Sequence, residues 1–180
     1  MEILAHTLWT TAGVKVFNDS KNGKKQKINF GWAAFWGIFP DIVSLFLPII
    51  FFSISLLAKT NTFESISTSR LIVNAYPISH TLYLYTHSLI IFAIVFLLVW
   101  LFIKKPPLAM TGWALHILLD IPSHGVGYFA TPFLFPLSGY VFPYGVSWAS
   151  PSFFLINYSI LAIVWGIILF KKYRKKKVSI

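Results

Sequence analysis

Gly112–Gly127 reads GWALHILLDIPSHGVG. His116 and Asp120 stand four residues apart, about one turn of an α-helix, so both side chains leave the same face and converge. Their neighbours are Trp, Leu and Ile, which places the pair in an apolar setting. Pro107 and Pro122 bracket the segment and predict a short helix over Leu108–Ile121. Two metal-ligand-type side chains on a short apolar helix make a site only when other helices close around them.

Composition supplies the surroundings. The chain has 180 residues, 57% hydrophobic and 11% charged, far from ordinary globular usage. A mean hydropathy of +0.72 points to the membrane class. The net charge of +10 raises nucleic acid as a partner, but the Lys and Arg residues lie in clusters beside apolar runs. That pattern fits membrane topology, so lipid is the expected partner and nucleic acid is not. Cysteine is absent, which excludes a disulfide framework and any thiolate metal site. Met1–Phe17 lacks a basic start and carries His6 and Lys15, so no cleavable signal peptide is expected.

Met1–Phe17 has a weak helical pattern and is too short and polar to span a bilayer, which suggests a packed or interfacial helix. Asn18–Lys27 is a basic loop with Gly23 at its turn. Asn29–Ala58 is the first long apolar run, with Pro40 and Pro48 inside it. A break at Phe39-Pro40 is expected, giving helices over Gly31–Phe39 and Asp41–Ala58. One kinked span and an entry helix followed by a span both satisfy this pattern. Lys59–Ile78 is polar. His80–Ile103 reads as one helix, with Ser88–Ile103 a span stopped by Lys104-Lys105-Pro106-Pro107. Pro122–Pro151 is a long aromatic loop of the kind that often carries function. Phe153–Phe170 is the last span, followed by a Lys-rich tail.

The expected architecture is an all-α membrane protein. It is a multi-pass helical bundle of about four membrane-embedded spans plus a short N-terminal helix. Residues 1–180 form a single integral-membrane domain, with 171–180 as a basic tail. Thirteen of the fifteen basic residues fall on one side of such a bundle, which places both termini in the cytoplasm and the chain in the inner or plasma membrane. Leu108–Ile121 is short for a crossing; it either crosses or enters partway, shielded by the other helices.

His6, Asp41, His80, His87, His116 and Asp120 are ionisable groups in or beside apolar segments, which makes each a functional candidate. His80 and His87 are seven apart, roughly 10 Å in rise, a separation better suited to two ions than to one. With no Cys, this set suits zinc, with manganese or another divalent first-row ion as alternatives. Asp41 or Asp120 is the candidate to orient water or take its proton. Each residue also has a structural reading: His6 as a packing residue, Asp41 as a helix-start acceptor, His80 and His87 as interfacial groups, and His116 with Asp120 as a hydrogen-bonded pair. His124, flanked by glycine, is read as solvated.

In order along the chain stand Ala5-His6-Thr7, Phe39-Pro40-Asp41, His80-Thr81 with Thr86-His87-Ser88, and Gly112 with His116 and Asp120. Thr131-Pro132-Phe133 and Phe135-Pro136-Leu137-Ser138 complete the series. Over roughly Met1–Tyr144 this series resembles the membrane-bound metal-dependent hydrolases, small multi-pass membrane proteins of bacteria and archaea. The resemblance implies a helical fold similar to zinc-dependent phospholipase C and related nucleases. It also implies His6, Asp41, His80, His87, His116 and Asp120 as metal ligands, and a phosphoester or lipid-linked substrate. Thr81 and Val43 stand where that family often has Arg and a second carboxylate. The rival expectation is a non-enzymatic metal-binding membrane protein or a transporter of small solutes or ions, since a translocation path also needs buried polar groups.

Overall fold

The computed structural model describes residues 1–20, 25–57, 70–127 and 129–178. The turn at Gly23 and the 58–69 part of the polar segment lie outside these. The described residues are helical and contain no strand. The helices are α1 (Ile3–Asp19), α2 (Phe30–Leu57), α3 (Arg70–Thr86), α4 (Leu89–Ile103), α5 (Thr111–Ser123) and α6 (Pro151–Val178). A single 3₁₀ turn, Leu108–Met110, leads into α5.

Helix boundaries differ from the sequence reading at three places. α2 runs through Pro40 and Pro48 without a break. Pro40 removes the N–H that would bond the Trp36 carbonyl, a local loss that packing on three neighbouring helices offsets. α3 begins at Arg70, inside the segment read as polar, and contains Pro77. The helix expected over His80–Ile103 is broken at His87-Ser88, where its two parts bend by 63°. Ser88 causes the break: its hydroxyl accepts from the N–H groups of Ile90 and Ile91, capping α4, and donates to the Phe135 carbonyl.

α2 is the central element and packs against α1, α3 and α5. Two glycines set its distance from its neighbours, Gly112 at α5 and Gly37 at α1. A Cβ at Gly112 would stand 2.5 Å from the Ala33 carbonyl oxygen, and one at Gly37 would stand 2.4 Å from Thr10 Oγ1. Only hydrogen fits at either crossing. Below this contact, Met110, Trp113 and Ile117 of α5 form a core with Trp36, Phe39 and Phe92. Trp113 Nε1 donates to the Thr86 carbonyl at 2.6 Å and so ties α5 to the α3–α4 break.

α6 is held to α1 by polar contacts. Trp9 Nε1 donates to Asn157 Oδ1 at 2.9 Å, Trp165 Nε1 donates to the Leu8 carbonyl at 3.3 Å, and the Tyr158 hydroxyl donates to the Glu2 carboxylate. The same carboxylate caps α1 through the N–H groups of Leu4 and Ala5. The loop after α5 folds back over it: the N–H groups of Val146 and Trp148 donate to the carbonyls of Pro122 and Ser123.

Among the described residues, Pro151–Arg174 of α6 is long and apolar enough to cross a membrane. The bent pair Tyr76–Thr86 and Leu89–Ile103 adds a second candidate if counted as one broken span. The expected four crossings are not carried by these helices: α5 has 13 residues, and the α3–α4 run is interrupted at Ser88. Large apolar side chains nevertheless stand exposed on α2, α4 and α6, including Trp32, Phe46, Leu101, Phe102, Leu155 and Ile163. Lys15, Lys105 and Lys171 mark one end of the bundle. Lys15 and Lys171 line one groove, and Leu108, three residues past Lys105, packs with Val14, Phe17 and Ile28. Asp41, His124 and Trp148 line a cavity around the start of α1, toward its opposite end.

Candidate metal centre

Asp41 of α2, His87 at the α3–α4 break, and His116 and Asp120 of α5 meet in the interior. One ligand-type atom from each lies within 4.8 Å of the others. His87, His116 and Asp120 are fully buried and Asp41 is 9% exposed. His116 Nε2 is 3.1 Å from Asp120 Oδ2 and 3.6 Å from Asp41 Oδ1. His87 Nε2 is 3.4 Å from Asp120 Oδ2 and 3.6 Å from Asp41 Oδ1. The two Nε2 atoms are 3.1 Å apart.

The remaining ring nitrogens fix the tautomers. His116 Nδ1 is 2.8 Å from the Gly37 carbonyl, and His87 Nδ1 is 3.2 Å from the Tyr83 carbonyl. A carbonyl only accepts, so each Nδ1 carries a proton, and the neutral form of each ring presents its lone pair at Nε2. Backbone support of this kind orients imidazoles that bind metal. The Gly37 carbonyl is within reach because Gly112 lacks a side chain where α2 and α5 cross.

His6 adds a flank. Its ring stacks on His116 with centroids 3.7 Å apart, and its Nε2 is 3.1 Å from Asp120 Oδ1. That approach is out of line for a hydrogen bond, and both His6 nitrogens and Asp120 Oδ2 are buried without a hydrogen-bond partner. Burial, and then the neighbouring His116, lower the His6 pKa from 6.5 to about 4 against the opposing pull of Asp120. The imidazole is therefore neutral near pH 7, the form that coordinates a metal.

Asp120 is shared between two sides. Its Oδ2 faces His87 and His116. Its Oδ1 faces His6, accepts from the Met1 amino group, and is 3.5 Å from His124 Nε2. His124, read as solvated, is thus part of the cluster's rim. Its spacing of four from Asp120 and eight from His116 was the available signal. Pro122 hid it by suggesting a helix end, whereas the helix runs on to Ser123 and the His124 N–H still donates to the Asp120 carbonyl at 3.0 Å. Tyr83 is a second residue that the sequence reading missed. Its ring stacks on His87 at 3.7 Å and its hydroxyl donates to the Phe129 carbonyl at 2.7 Å.

His80 stands apart from the group of four. It lies two turns before His87 on α3, with its ring 6.3 Å from that of Phe129. A rise of roughly 10 Å over seven residues keeps it from the ion position that His87 reaches.

The donor set fits a divalent cation. Two buried carboxylates and two facing imidazole lone pairs repel one another, and burying uncompensated charge is costly. The Met1 amino group supplies one positive charge, at Asp120 Oδ1. Imidazole with carboxylate suits first-row divalent ions. No known protein family, curated protein or solved structure matches the chain.

Proposed function

We propose that this chain is a membrane-embedded, metal-dependent hydrolase of phosphoesters or lipid-linked esters. The observation that carries the reading is the pair of Nε2 atoms, from His87 and His116, gathered with the carboxylates of Asp41 and Asp120 in a buried pocket. The series of motifs that resembles the membrane-bound metal-dependent hydrolases supports the reaction class. Zinc is the favoured ion, held by Asp41, His87, His116 and Asp120 with His6 at the flank; manganese is the alternative. When bound, such an ion lowers the pKa of water and offsets charge on a phosphoryl oxygen.

Asp41 belongs both to the cluster and to the lining of the adjoining cavity. It is the residue placed to accept a proton from attacking water. The water oxygen joins phosphorus, the ester P–O bond breaks, and the departing oxygen takes up a proton. Asp120, anchored on both sides, holds the imidazoles in register. Exposed apolar residues on α2, α4 and α6 are the surface that a bilayer covers. Further crossings of the multi-pass reading are assigned to α2 and to the broken α3–α4 pair, with the basic end, which holds Lys15 and Lys171, in the cytoplasm.

The test is metal analysis of the purified protein, paired with hydrolysis of a phosphodiester panel. The expected result is about one or more divalent ions per chain, lost in His87→Ala and His116→Ala. A wild-type protein that holds no metal after supplementation overturns the reading. Metal-dependent counterflow in liposomes without hydrolysis replaces it with transport.

A further inference from the structure

A cavity of about 820 Å³ adjoins the cluster, between the start of α1, α2, α3 and the loop after α5. Its size is that of an organic ligand site. Asp41 and His124 contribute to its lining from the cluster side. Ile3, Leu4, Leu45, Phe129 and Trp148 make the rest of the wall largely apolar. Ile3, Leu4 and Trp148 are 42%, 56% and 38% exposed, so the apolar wall continues to the protein surface. A site for a small polar ester has no use for such a wall. An unligated apolar wall in water is also unfavourable, by about 25 cal/mol per Å².

Charge narrows the occupant further. Among the described lining residues there is no Lys or Arg. Glu2 and Asp41 bring carboxylates, and the Met1 amino group is already held by Asp120. A polyanionic ligand therefore finds no positive side chain here and meets two acidic ones. Phe129 and Trp148 add aromatic rings to the lining, which favour a cationic group.

We infer that the cavity holds a membrane amphiphile: its apolar chain lies along Leu4, Leu45 and Trp148, and its zwitterionic phosphodiester head meets Asp41 and His124. This deepens the hydrolase reading by naming the substrate class, but binding of the chain does not itself require the metal. Soluble phosphodiesters and polyanionic lipids are the excluded classes.

The experiment uses the full chain in nanodiscs of uncharged synthetic lipid. A single-chain alkylphosphocholine bearing a diazirine on its chain is photolysed, and the labelled residues are mapped by mass spectrometry. Label is expected at Ile3, Leu4, Leu45, Phe129 or Trp148. Unlabelled alkylphosphocholine competes for it, while free phosphocholine and the corresponding alkyl phosphate compete roughly tenfold less well, about 1.4 kcal/mol. Leu45→Trp and, independently, the more exposed Leu4→Trp fill the cavity and reduce cavity label, whereas Leu45→Ile restores it. Label confined to the outer faces of α4 and α6 overturns the inference, as does cavity label that neither Trp variant lowers. Equal competition by alkyl phosphate overturns the choice of head group. His116→Ala separates the two readings. Cavity label that persists in a wild type without metal retains this inference and ends the hydrolase reading. Metal binding without cavity label does the reverse.

Discussion

The Nε2 atoms of His87 and His116 face each other at 3.1 Å, while each ring donates a hydrogen bond from Nδ1–H to a backbone carbonyl. Two imidazole nitrogens at that distance, with two carboxylates beside them, form a donor set that a divalent cation fits. Replacing either His by Ala is expected to abolish stoichiometric divalent-metal binding. It is also expected to remove the stabilisation that metal confers, about 2.7 kcal/mol at a hundredfold excess over Kd. Metal analysis and Tm with and without chelator give both readouts. A variant whose Tm still responds to metal as the wild type does contradicts the assignment.

Gly112→Ala places a Cβ 2.5 Å from the Ala33 carbonyl oxygen. Backbone cannot give way as a side chain does, so α5 must move off α2, at a cost of about 1–3 kcal/mol. His116 then loses its 2.8 Å contact to the Gly37 carbonyl. Metal affinity is expected to fall roughly 10- to 100-fold, as it does when a supporting contact to a ligand is lost. A lowered Tm with unchanged metal affinity separates the packing role from the orienting role and rejects the second.

His6 makes the metal-free protein acid-sensitive. Burial and His116 hold its pKa at about 4, below the 6.5 of the exposed ring. Between those values the unfolded chain binds a proton that the folded chain does not. Stability from this source is full above pH 6.5 and is lost as the pH falls toward 4, by an amount on the order of 3 kcal/mol. Thermal denaturation across this window is expected to show a shallower decline in His6→Gln than in the wild type. Parallel profiles argue against the assignment.

The clustering of Lys15, Lys105 and Lys171 at one end, away from Asp41 and His124, predicts a sidedness. The chain has no cysteine, so single-Cys variants report it directly. With the basic end in the cytoplasm, Val126→Cys and Tyr144→Cys are expected to react with an impermeant maleimide from outside intact cells. Lys105→Cys is expected to react only after lysis. The opposite pattern inverts the topology.

The sequence made the His116–Asp120 pair legible because both lie within one regular helix, where spacing alone sets the face. His87 was harder to place. It sits where Ser88 ends one helix and begins another, so its direction depends on a 63° bend that no periodicity encodes. His80 and His87 share a helix face on paper, but rise along the axis separates them. The apolar composition announced helices and a membrane setting without fixing the number of crossings. Proline marked no break in α2, because neighbouring helices hold that element through Pro40 and Pro48.

The close crossing of α2 and α5 also bears on how such a centre is to be recognised in other chains. His and Asp can enter an apolar helix for structural reasons as well as for metal binding. A glycine is required wherever a backbone carbonyl must come within bonding distance of an imidazole on the facing helix. In a divergent sequence, a small residue at the position of Gly112 is therefore the more discriminating marker. A chain that keeps every imidazole and carboxylate but carries a larger residue there has lost the spacing that makes them one site.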